Sequence, residues 1–263
     1  MREFKQLKTK KGRNETGLFM IEGEKFVTEI PSHWEIVRYI MAHRFTNGKD
    51  LSNYTRAPVE IVRDSLFDTL ADTVSPQGII AIVRQKHWQL DDVIHPASQT
   101  STDNNTNFIL IGENLNDPGN IGTLIRTAAA AGARGAILTQ GSGDFYNPKV
   151  QRAAAGAALR LPVVTNAPLT STLTQLKQAN YAIYAAHLNG EILPYDLDLS
   201  SQFCWLVGNE SQGLTPEATA QADKQVRLPM ASTVESLNAS IAGGILLYEV
   251  VRQRHELKKS QTN

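Results

Sequence analysis

The stretch FILIGENLNDPGNIGTLIRTAAAAGARGAILTQ, residues 108–140, decides the fold class of this chain. It opens with a continuous apolar run, which a Pro-Gly pair at 118–119 separates from a helical pattern of small residues. A second apolar run, GAILTQ, follows at 135–140. Nearly continuous apolar strands that alternate with helices indicate a parallel sheet covered on both faces. Ligands of such sheets bind beyond the carboxyl ends of the strands, so the loops that follow strands are the places to search for a site.

The same alternation continues to the end of the chain. Besides 108–113 and 135–140, apolar runs predict strands at 181–188, 203–209 and 226–230. Apolar residues at helical spacing predict helices at 119–132, 147–158, 171–179 and 235–257. The C-terminal part is therefore predicted to be an α/β domain built on a parallel sheet.

The first third of the chain is typical of a second, smaller α/β domain. Its predicted strands are LFMIEG (18–23), WEIVRYIM (34–41), PVEIV (58–62) and QGIIAIVRQ (77–85), and RDSLFDTLAD (63–72) has helical spacing. The polar stretch HPASQTSTDNNTN, residues 95–107, is typical of a linker. We therefore predict an N-terminal domain at 1–94 and a C-terminal domain at 108–263.

The net charge gives no argument for a nucleic-acid partner, because Lys plus Arg and Asp plus Glu both number 26. The distribution of charge says more. Residues 1–13 hold six basic side chains and one acid, and residues 252–259 are also basic. Basic ends of this kind can contact phosphate. The alternative is an ordinary solvated terminus.

Several classes of protein lack support in the sequence. The single cysteine, Cys204, excludes an intramolecular disulfide and a cysteine-rich metal site. No apolar run reaches the roughly 18 residues of a membrane-spanning helix, so we expect a cytoplasmic protein without a membrane partner. Walker A, HExxH, CxxC and GxSxG patterns do not occur. The six histidines show no metal-ligand spacing, so no metal is expected, and only His187 lies near a possible site.

Two of the loops that follow predicted strands carry a candidate polar site. In ENLNDPGNIGTLIRTAAAAGA (113–133), Asn120 suits a helix start, and Arg126 lies one to two turns further along. An Arg among Ile and Ala has few polar neighbours on its own helix, which favours a partner anion over a purely solvated side chain. In WLVGNESQGL (205–214), Gly208 would allow a ligand to approach the backbone, and Gly213 suits a turn with positive φ. Taken alone, this segment is equally typical of an ordinary loop.

The third loop opens the stretch LPMASTVESLNASIAGGILLYEV, residues 228–250. Ser232 and Glu235 have the spacing of a capping box at a helix start. That leaves Ser236, Asn238 and Ser240 on the early turns beside free backbone N–H groups. The small residues at 239–244 weaken the helix, but they would let another backbone pack very closely.

Together these stretches resemble the three ordered motifs of the SpoU (TrmH) family of RNA ribose 2′-O-methyltransferases. The matching segments are NDPGNIGTLIRTA, LVGNESQGL and LPMASTVESLNASIAGGILLYE, in the family's order and spacing. DFYNPKVQRAAAGAALRLPV (144–163) resembles the segment between the family's first two motifs. KTKKGRNETGLFMIEGEKFVTEI (8–30) is similar to the RNA-binding extension of its ribosomal-RNA members.

The resemblance implies an α/β fold whose C-terminal part is threaded as a trefoil knot, with a small N-terminal α/β RNA-binding domain. It implies S-adenosylmethionine as the cofactor, ribosomal RNA as the favoured partner, and a homodimer. One departure from the motif is Ser232, where many members carry Gly. A transfer-RNA substrate, a non-catalytic RNA- or ribosome-binding protein, and a nucleotide-dependent oxidoreductase are the alternatives. The last lacks a glycine fingerprint.

The resemblance also implies residue roles by motif position. The expected catalytic residues are Arg126, Asn120, Ser236 and Asn238. The expected cofactor-binding residues are Gly208, Asn209, Glu210, Gly213, Leu228, Met230, Leu237 and Asn238. The expected RNA-binding residues are Lys10, Lys11, Arg13, Arg126 and Arg152.

Overall fold

The computed structural model describes residues 2–95 and 108–262. The elements of the first range are α1 (Arg2–Leu7), α2 (Lys10–Thr16), β1 (Leu18–Glu22), α3 (Glu24–Thr28), β2 (Ile36–Ala42), α4 (His43–Thr46), β3 (Val59–Val62), α5 (Asp64–Leu70), β4 (Ile79–Arg84) and α6 (Leu90–Ile94). Those of the second range are β5 (Phe108–Gly112), α7 (Pro118–Ala130), β6 (Gly135–Thr139), α8 (Pro148–Ala154), β7 (Val163–Ala167), α9 (Leu169–Gln178), β8 (Ala182–Ala186), β9 (Phe203–Val207), α10 (Pro216–Gln221), β10 (Lys224–Val226) and α11 (Ala239–Thr262).

The described residues form two compact units. The first consists of the residues up to Lys86 together with Asp144–Arg160, and the second of the remaining described residues. The predicted domains at 1–94 and 108–263 are each continuous in sequence. In the structure, the segment 144–160 packs with the N-terminal residues instead of with the rest of the C-terminal domain. Apart from His95, the predicted linker lies outside the described residues.

The first unit is built on a four-stranded sheet in the order β1-β4-β2-β3. β4 runs antiparallel to both β1 and β2, and β3 lies parallel to β2. The segment 144–160 completes its core, since the indole N–H of Trp34 donates to the carbonyl of Leu159 at 2.7 Å. The rings of Phe19 and Tyr146 also pack with centroids 4.7 Å apart.

Arg13 corrects one expectation about RNA binding. Its side chain is 2% exposed and donates to the Leu7 carbonyl at 2.7 Å and, from Nε, to Asp144 at 2.9 Å. A buried guanidinium that is committed to a carboxylate does not offer its charge to an RNA phosphate. Arg13 therefore has a structural role. Removing one partner of such a buried ion pair destabilises a protein by about 3–5 kcal/mol.

The second unit is built on a six-stranded sheet in the order β10-β8-β9-β5-β6-β7. All of its strand pairs are parallel, as the continuous apolar runs predicted. One face packs against α6, α9 and α10 through residues such as Val93, Leu173 and Ala218. α7 and α11 pack against each other, and they cover β6 and β9. The loops at the carboxyl ends of β5, β8, β9 and β10 carry the predicted site.

Some elements differ from the prediction. β7 and α10 were not predicted, because β7 carries polar Thr165 and Asn166 and α10 is too short to show a periodicity. The strand expected at 226–230 occupies Lys224–Val226 instead. α11 begins at Ala239 rather than at 235, so the Ser232–Glu235 capping box does not form.

None of the helices in the described part of the chain combines the length and apolarity needed to cross a membrane.

Two adjacent glycines on α11 have different surroundings. A Cβ on Gly243 would lie 2.4 Å from Cδ2 of Leu124, which is 1% exposed in the core. A Cβ on Gly244 would lie 3.8 Å from its nearest neighbour, a methyl carbon of Thr127. Gly243 therefore makes room for the Leu124 side chain rather than for the backbone that the sequence analysis expected, and it lets α11 pack on α7.

We expect Gly244→Ala to raise the free energy of unfolding by up to about 1 kcal/mol, because Ala favours the helix and the added methyl meets only ordinary contacts. Gly243→Ala gains the same propensity but must displace buried Leu124, and overpacking costs about 1–3 kcal/mol. Urea unfolding of both variants measures the difference. A Gly243→Ala chain as stable as Gly244→Ala would contradict the packing described here.

Candidate functional site

A cavity of about 300 Å³ lies at the carboxyl ends of β8, β9 and β10. Four chain segments line it: 186–189, 207–214, 226–230 and 236–242. Seven of the predicted site residues lie in its wall together with Ser236, namely Gly208, Asn209, Glu210, Gly213, Leu228, Met230 and Leu237. The volume and the mixture of apolar and polar groups are those of a small-molecule site.

Loop 208–214 forms one wall of the cavity and closes on itself as a tight turn. The N–H of Asn209 donates to the carbonyl of Gly213 at 3.0 Å, and the reverse bond is 2.9 Å. Gly213 has φ +70°, which confirms the predicted need for glycine. Glycine is needed at position 208 for a different reason from the one expected. A Cβ there would lie 2.4 Å from Gly213 C and Leu214 N, so its glycine accommodates the chain's own turn.

The carboxylate of Glu210 connects this loop to the start of α7. It accepts from the backbone N–H groups of Asn116 and Asp117 at 3.3 and 3.2 Å and from the Asn120 side chain at 3.1 Å. Burial by itself raises the pKa of Glu210, but a hydrogen bond from its own backbone, together with the three just named, lowers the pKa below its ordinary value. Glu210 is therefore held as an anion at the boundary between the cavity and α7.

Asn120 and Asn238 continue the connection to α11. The amide of Asn238 donates to the side-chain oxygen of Asn120 at 3.0 Å. The side-chain oxygen of Asn238 accepts from the N–H groups of Ser240 and Ile241, so Asn238 is the N-cap of α11. The chain Glu210–Asn120–Asn238 thus joins all three predicted motifs. Asn238 itself does not line the cavity.

The cavity wall offers backbone groups with no partner in the protein. Within the described residues, the main-chain N–H and carbonyl groups of Leu228, Met230 and Leu237 make no hydrogen bond. Unpaired main-chain groups beside apolar side chains suit a ligand with a flat apolar body and a polar edge. The arrangement fits the adenine of a nucleoside cofactor, and the hydroxyl of Ser236 adds a polar group nearby.

Arg126 lies exposed on α7, two turns beyond the N-cap Asp117. Its guanidinium has no hydrogen-bond or ion-pair partner among residues 2–95 and 108–262, and it does not line the cavity. An unpartnered cation on a helix that the site network fixes in place is available to an anion from outside the protein.

The remaining candidate RNA contacts lie in the first unit. Lys10 and Lys11 are exposed on α2, where Lys11 makes only a 3.8 Å ion pair with Glu15. Arg152 on α8 pairs with Asp72 at 2.5 Å while remaining partly exposed. Such surface pairs are weak, so these cations can still contact phosphate.

Sequence reasoning missed two residues directly after β5. Asn114 has φ +55°, and its carbonyl accepts from the Asn209 side chain at 2.8 Å. Glu113 is 3% exposed and accepts from Thr215. The sequence carries a signal for Glu113, because a carboxylate directly follows a fully apolar strand.

His187 lines the cavity, and its Nδ1 accepts from the N–H of Asn189 at 3.2 Å. The described residues contain no group of three or more His, Cys, Asp or Glu side chains placed to hold a metal.

Both units of the chain are similar to known proteins. Residues 107–248 match the SpoU rRNA Methylase family, and residues 1–81 match the MRM3-like substrate binding domain. The chain is 31% identical over 251 residues to the 23S rRNA (guanosine(2553)-2'-O)-methyltransferase RlmP of Bacillus subtilis (strain 168), with 95% of each chain covered. It is 32% identical over 208 residues to the 23S rRNA (guanosine-2'-O-)-methyltransferase RlmB of Xylella fastidiosa (strain 9a5c), with 77% and 81% covered.

The fold agrees with a solved structure as well. The AdoMet-bound rRNA methyltransferase from Sinorhizobium meliloti is 30% identical and superposes with a TM-score of 0.81. The superposition covers 96% of this chain and 94% of that chain. Similarity therefore extends over both units.

The Glu210 hydrogen bonds predict a pH-dependent stability. Because the folded pKa is lowered, the carboxylate contributes stability above its unfolded pKa near 4.5 and loses that contribution as pH falls through the folded pKa. At about pH 7 we expect Glu210→Gln to cost about 1–2 kcal/mol, since an amide NH₂ would then face N–H donors.

Urea unfolding at about pH 7 and about pH 3.5 tests this, and the difference between wild type and Glu210→Gln should shrink at the lower pH. The matched control is Glu235→Gln, because Glu235 is exposed and has no partner in the described residues. A difference that does not depend on pH would show that the charge of Glu210 is not what matters.

Proposed function

The chain belongs to the SpoU rRNA methylase family, and we propose that it methylates the ribose 2′-hydroxyl of a guanosine in large-subunit ribosomal RNA. It is an RNA ribose 2′-O-methyltransferase that uses S-adenosylmethionine, which confirms the enzyme class and cofactor predicted from the three motifs. The choice of ribosomal RNA is supported by the two relatives, both of which are 23S rRNA methyltransferases. The observation that carries the site is the Glu210–Asn120–Asn238 network beside the cavity.

The cavity residues fit S-adenosylmethionine, which supplies an electrophilic methyl group on a sulfonium. The unpaired main-chain groups of Leu228, Met230 and Leu237 would hold the adenine edge. Asn209, Glu210 and Gly213 shape the wall, and Ser236 is placed to contact a ribose hydroxyl. Asn238 acts through the N-cap of α11 and through Asn120 rather than by lining the cavity.

Arg126 is the proposed catalytic residue. Methylation requires that the ribose 2′-oxygen be aligned with the methyl carbon and that its proton be lost. A guanidinium stays protonated up to a pH of roughly 12 or more, so Arg126 is a poor base. It stabilises the developing alkoxide beside an RNA phosphate, and the proton leaves to phosphate or water. Asn120 fixes the helix on which Arg126 lies.

The first unit is the proposed RNA-binding part. Residues 1–81 match a substrate-binding domain, and Lys10, Lys11 and Arg152 present positive charge on its surface. Arg13 is left out of this set because its guanidinium is buried. The proposed ribosomal-RNA substrate and the bacterial relative support a cytoplasmic location.

We further propose a homodimer formed through α11. Ile241, Ile245 and Tyr248 are 54%, 41% and 53% exposed, and their spacing places them on one helix face. An exposed apolar stripe of this kind favours a protein interface. The trefoil knot implied by the motifs also stays a proposal, supported by the convergence of 207–214, 226–230 and 236–242 on one cavity.

The reaction is tested by incubating the protein with methyl-labelled S-adenosylmethionine and total RNA from a strain that lacks it. We expect alkali-resistant label at one position of large-subunit ribosomal RNA. Label in transfer RNA would overturn the substrate, and no label in any RNA or subunit fraction, with cofactor binding intact, would favour a non-catalytic binding protein.

Arg126 variants separate chemistry from cofactor binding. We expect Arg126→Ala to lose at least about a hundredfold in kcat, because stabilisation of the developing anion is lost. The Kd for S-adenosylmethionine should stay unchanged, because Arg126 does not line the cavity. Calorimetry and single-turnover kinetics measure the two effects. An Arg126→Lys enzyme with near-full kcat would contradict a bidentate role for the guanidinium.

The dimer is tested by Ile245→Glu, which places a charge in the centre of the exposed stripe. We expect this variant to sediment as a monomer, since burying an unpaired charge opposes association. Leu257→Glu is the matched control, because Leu257 is 48% exposed on the same helix but lies off the stripe. Equal sedimentation of wild type and Ile245→Glu would show that the stripe is not the interface.

A further inference from the structure

Glu113 attaches both ends of loop 208–214 to β5. Its backbone N–H donates to the carbonyl of Val207, the residue directly before the loop, at 2.8 Å. Its carboxylate accepts from the N–H of Thr215, directly after the loop, at 3.0 Å and from the Thr215 hydroxyl at 2.6 Å. One residue therefore fixes the points at which the loop leaves the sheet and returns.

The carboxylate of Glu113 lies in an energetically unfavourable environment. It is 3% exposed, and no cation in the described residues forms an ion pair with it. A buried carboxylate without a cation is costly, so an apolar residue at the end of β5 would favour stability. Among residues 2–95 and 108–262, the hydrogen bonds that offset this cost come from Thr215. The Thr215 hydroxyl in turn accepts from the N–H of Ala218 at 3.1 Å and caps α10.

The loop held by Glu113 forms one wall of the cavity and carries half of the polar side chains that line it. All seven residues from Gly208 to Leu214 line the cavity, whereas Glu113 does not. Internal bonds between Asn209 and Gly213 close the middle of the loop, but they do not fix its distance from β5. Glu113 fixes that distance at the two ends of the loop. Between the ends, Asn209 bonds to the Asn114 carbonyl and Glu210 accepts from the N–H groups of Asn116 and Asp117.

We infer that Glu113 is a positioning residue that holds loop 208–214 in the conformation that binds S-adenosylmethionine. The inference rests on the proposed function for the identity of this ligand. We call the bonds between Glu113 and Thr215 the clasp. If these bonds are weakened, the binding conformation becomes only one of several that the loop occupies. The apparent affinity then falls in proportion to the fraction of molecules in that conformation. Chemistry at Arg126 is a separate step, so saturating cofactor should restore turnover.

The test is calorimetric titration of S-adenosylmethionine into the full chain. We expect Glu113→Gln to raise the Kd by about tenfold, because the two Thr215 donors bind different oxygens of the carboxylate and an amide replaces one of those oxygens with an NH₂ donor. Thr215→Val, which removes one of the two bonds, should raise the Kd as well, whereas Thr215→Ser should bind like wild type.

The double variant Glu113→Gln, Thr215→Val should have a Kd little higher than that of Glu113→Gln alone, since both substitutions break the same clasp. The kcat of these variants at saturating cofactor should stay within about twofold of wild type.

Glu249→Gln is the matched control for general destabilisation. Glu249 is also a buried carboxylate, 5% exposed, but it accepts from Arg252 and Gln253 on α11 and does not line the cavity. An unchanged Kd in Glu113→Gln, or an equal rise in Glu249→Gln, would overturn the inference. Failure of the wild-type chain to bind S-adenosylmethionine would instead count against the proposed function, so the two failures are distinguishable.

Discussion

The carboxylate of Glu210 accepts three N–H donors at the start of α7, and the geometry of the site depends on this contact. On one side Glu210 belongs to the loop that lines the cavity, and on the other it orients Asn120, which in turn binds the N-cap of α11. The cofactor wall and the helix that bears Arg126 are therefore parts of one hydrogen-bonded assembly. Arg126 itself does not line the cavity, so this network is the connection between them.

Much of this could be predicted from the sequence because the signals are local. Apolar runs such as 108–111 and 203–207 predict buried parallel strands, and the glycine at 213 has the positive φ that its turn requires. The motif order identified the family and hence the cofactor. Seven of the expected cofactor residues do line one cavity.

The remaining features depend on partners that are distant in sequence. Nothing near Arg13 indicates that it is buried against Asp144, 131 residues away. Gly208 was interpreted as a place for a ligand, but its neighbour is the backbone of Gly213. Asn238 looked like an early helical residue, whereas it lies before the helix and caps it. In each case the residue type was recognised and its partner was not, because local patterns contain no information about tertiary contacts.

The inclusion of 144–160 in the first unit has a consequence for the order in which the chain folds during synthesis. When the ribosome has delivered residue 94, the N-terminal sheet still lacks the Leu159 carbonyl that receives the Trp34 indole, 125 positions later. It also lacks the aromatic pair of Tyr146 with Phe19. The core of the N-terminal unit is therefore complete only after about a third of the second unit, residues 87–143, has been synthesised. Such long-range closure slows folding and prolongs the exposure of apolar surface on a nascent chain.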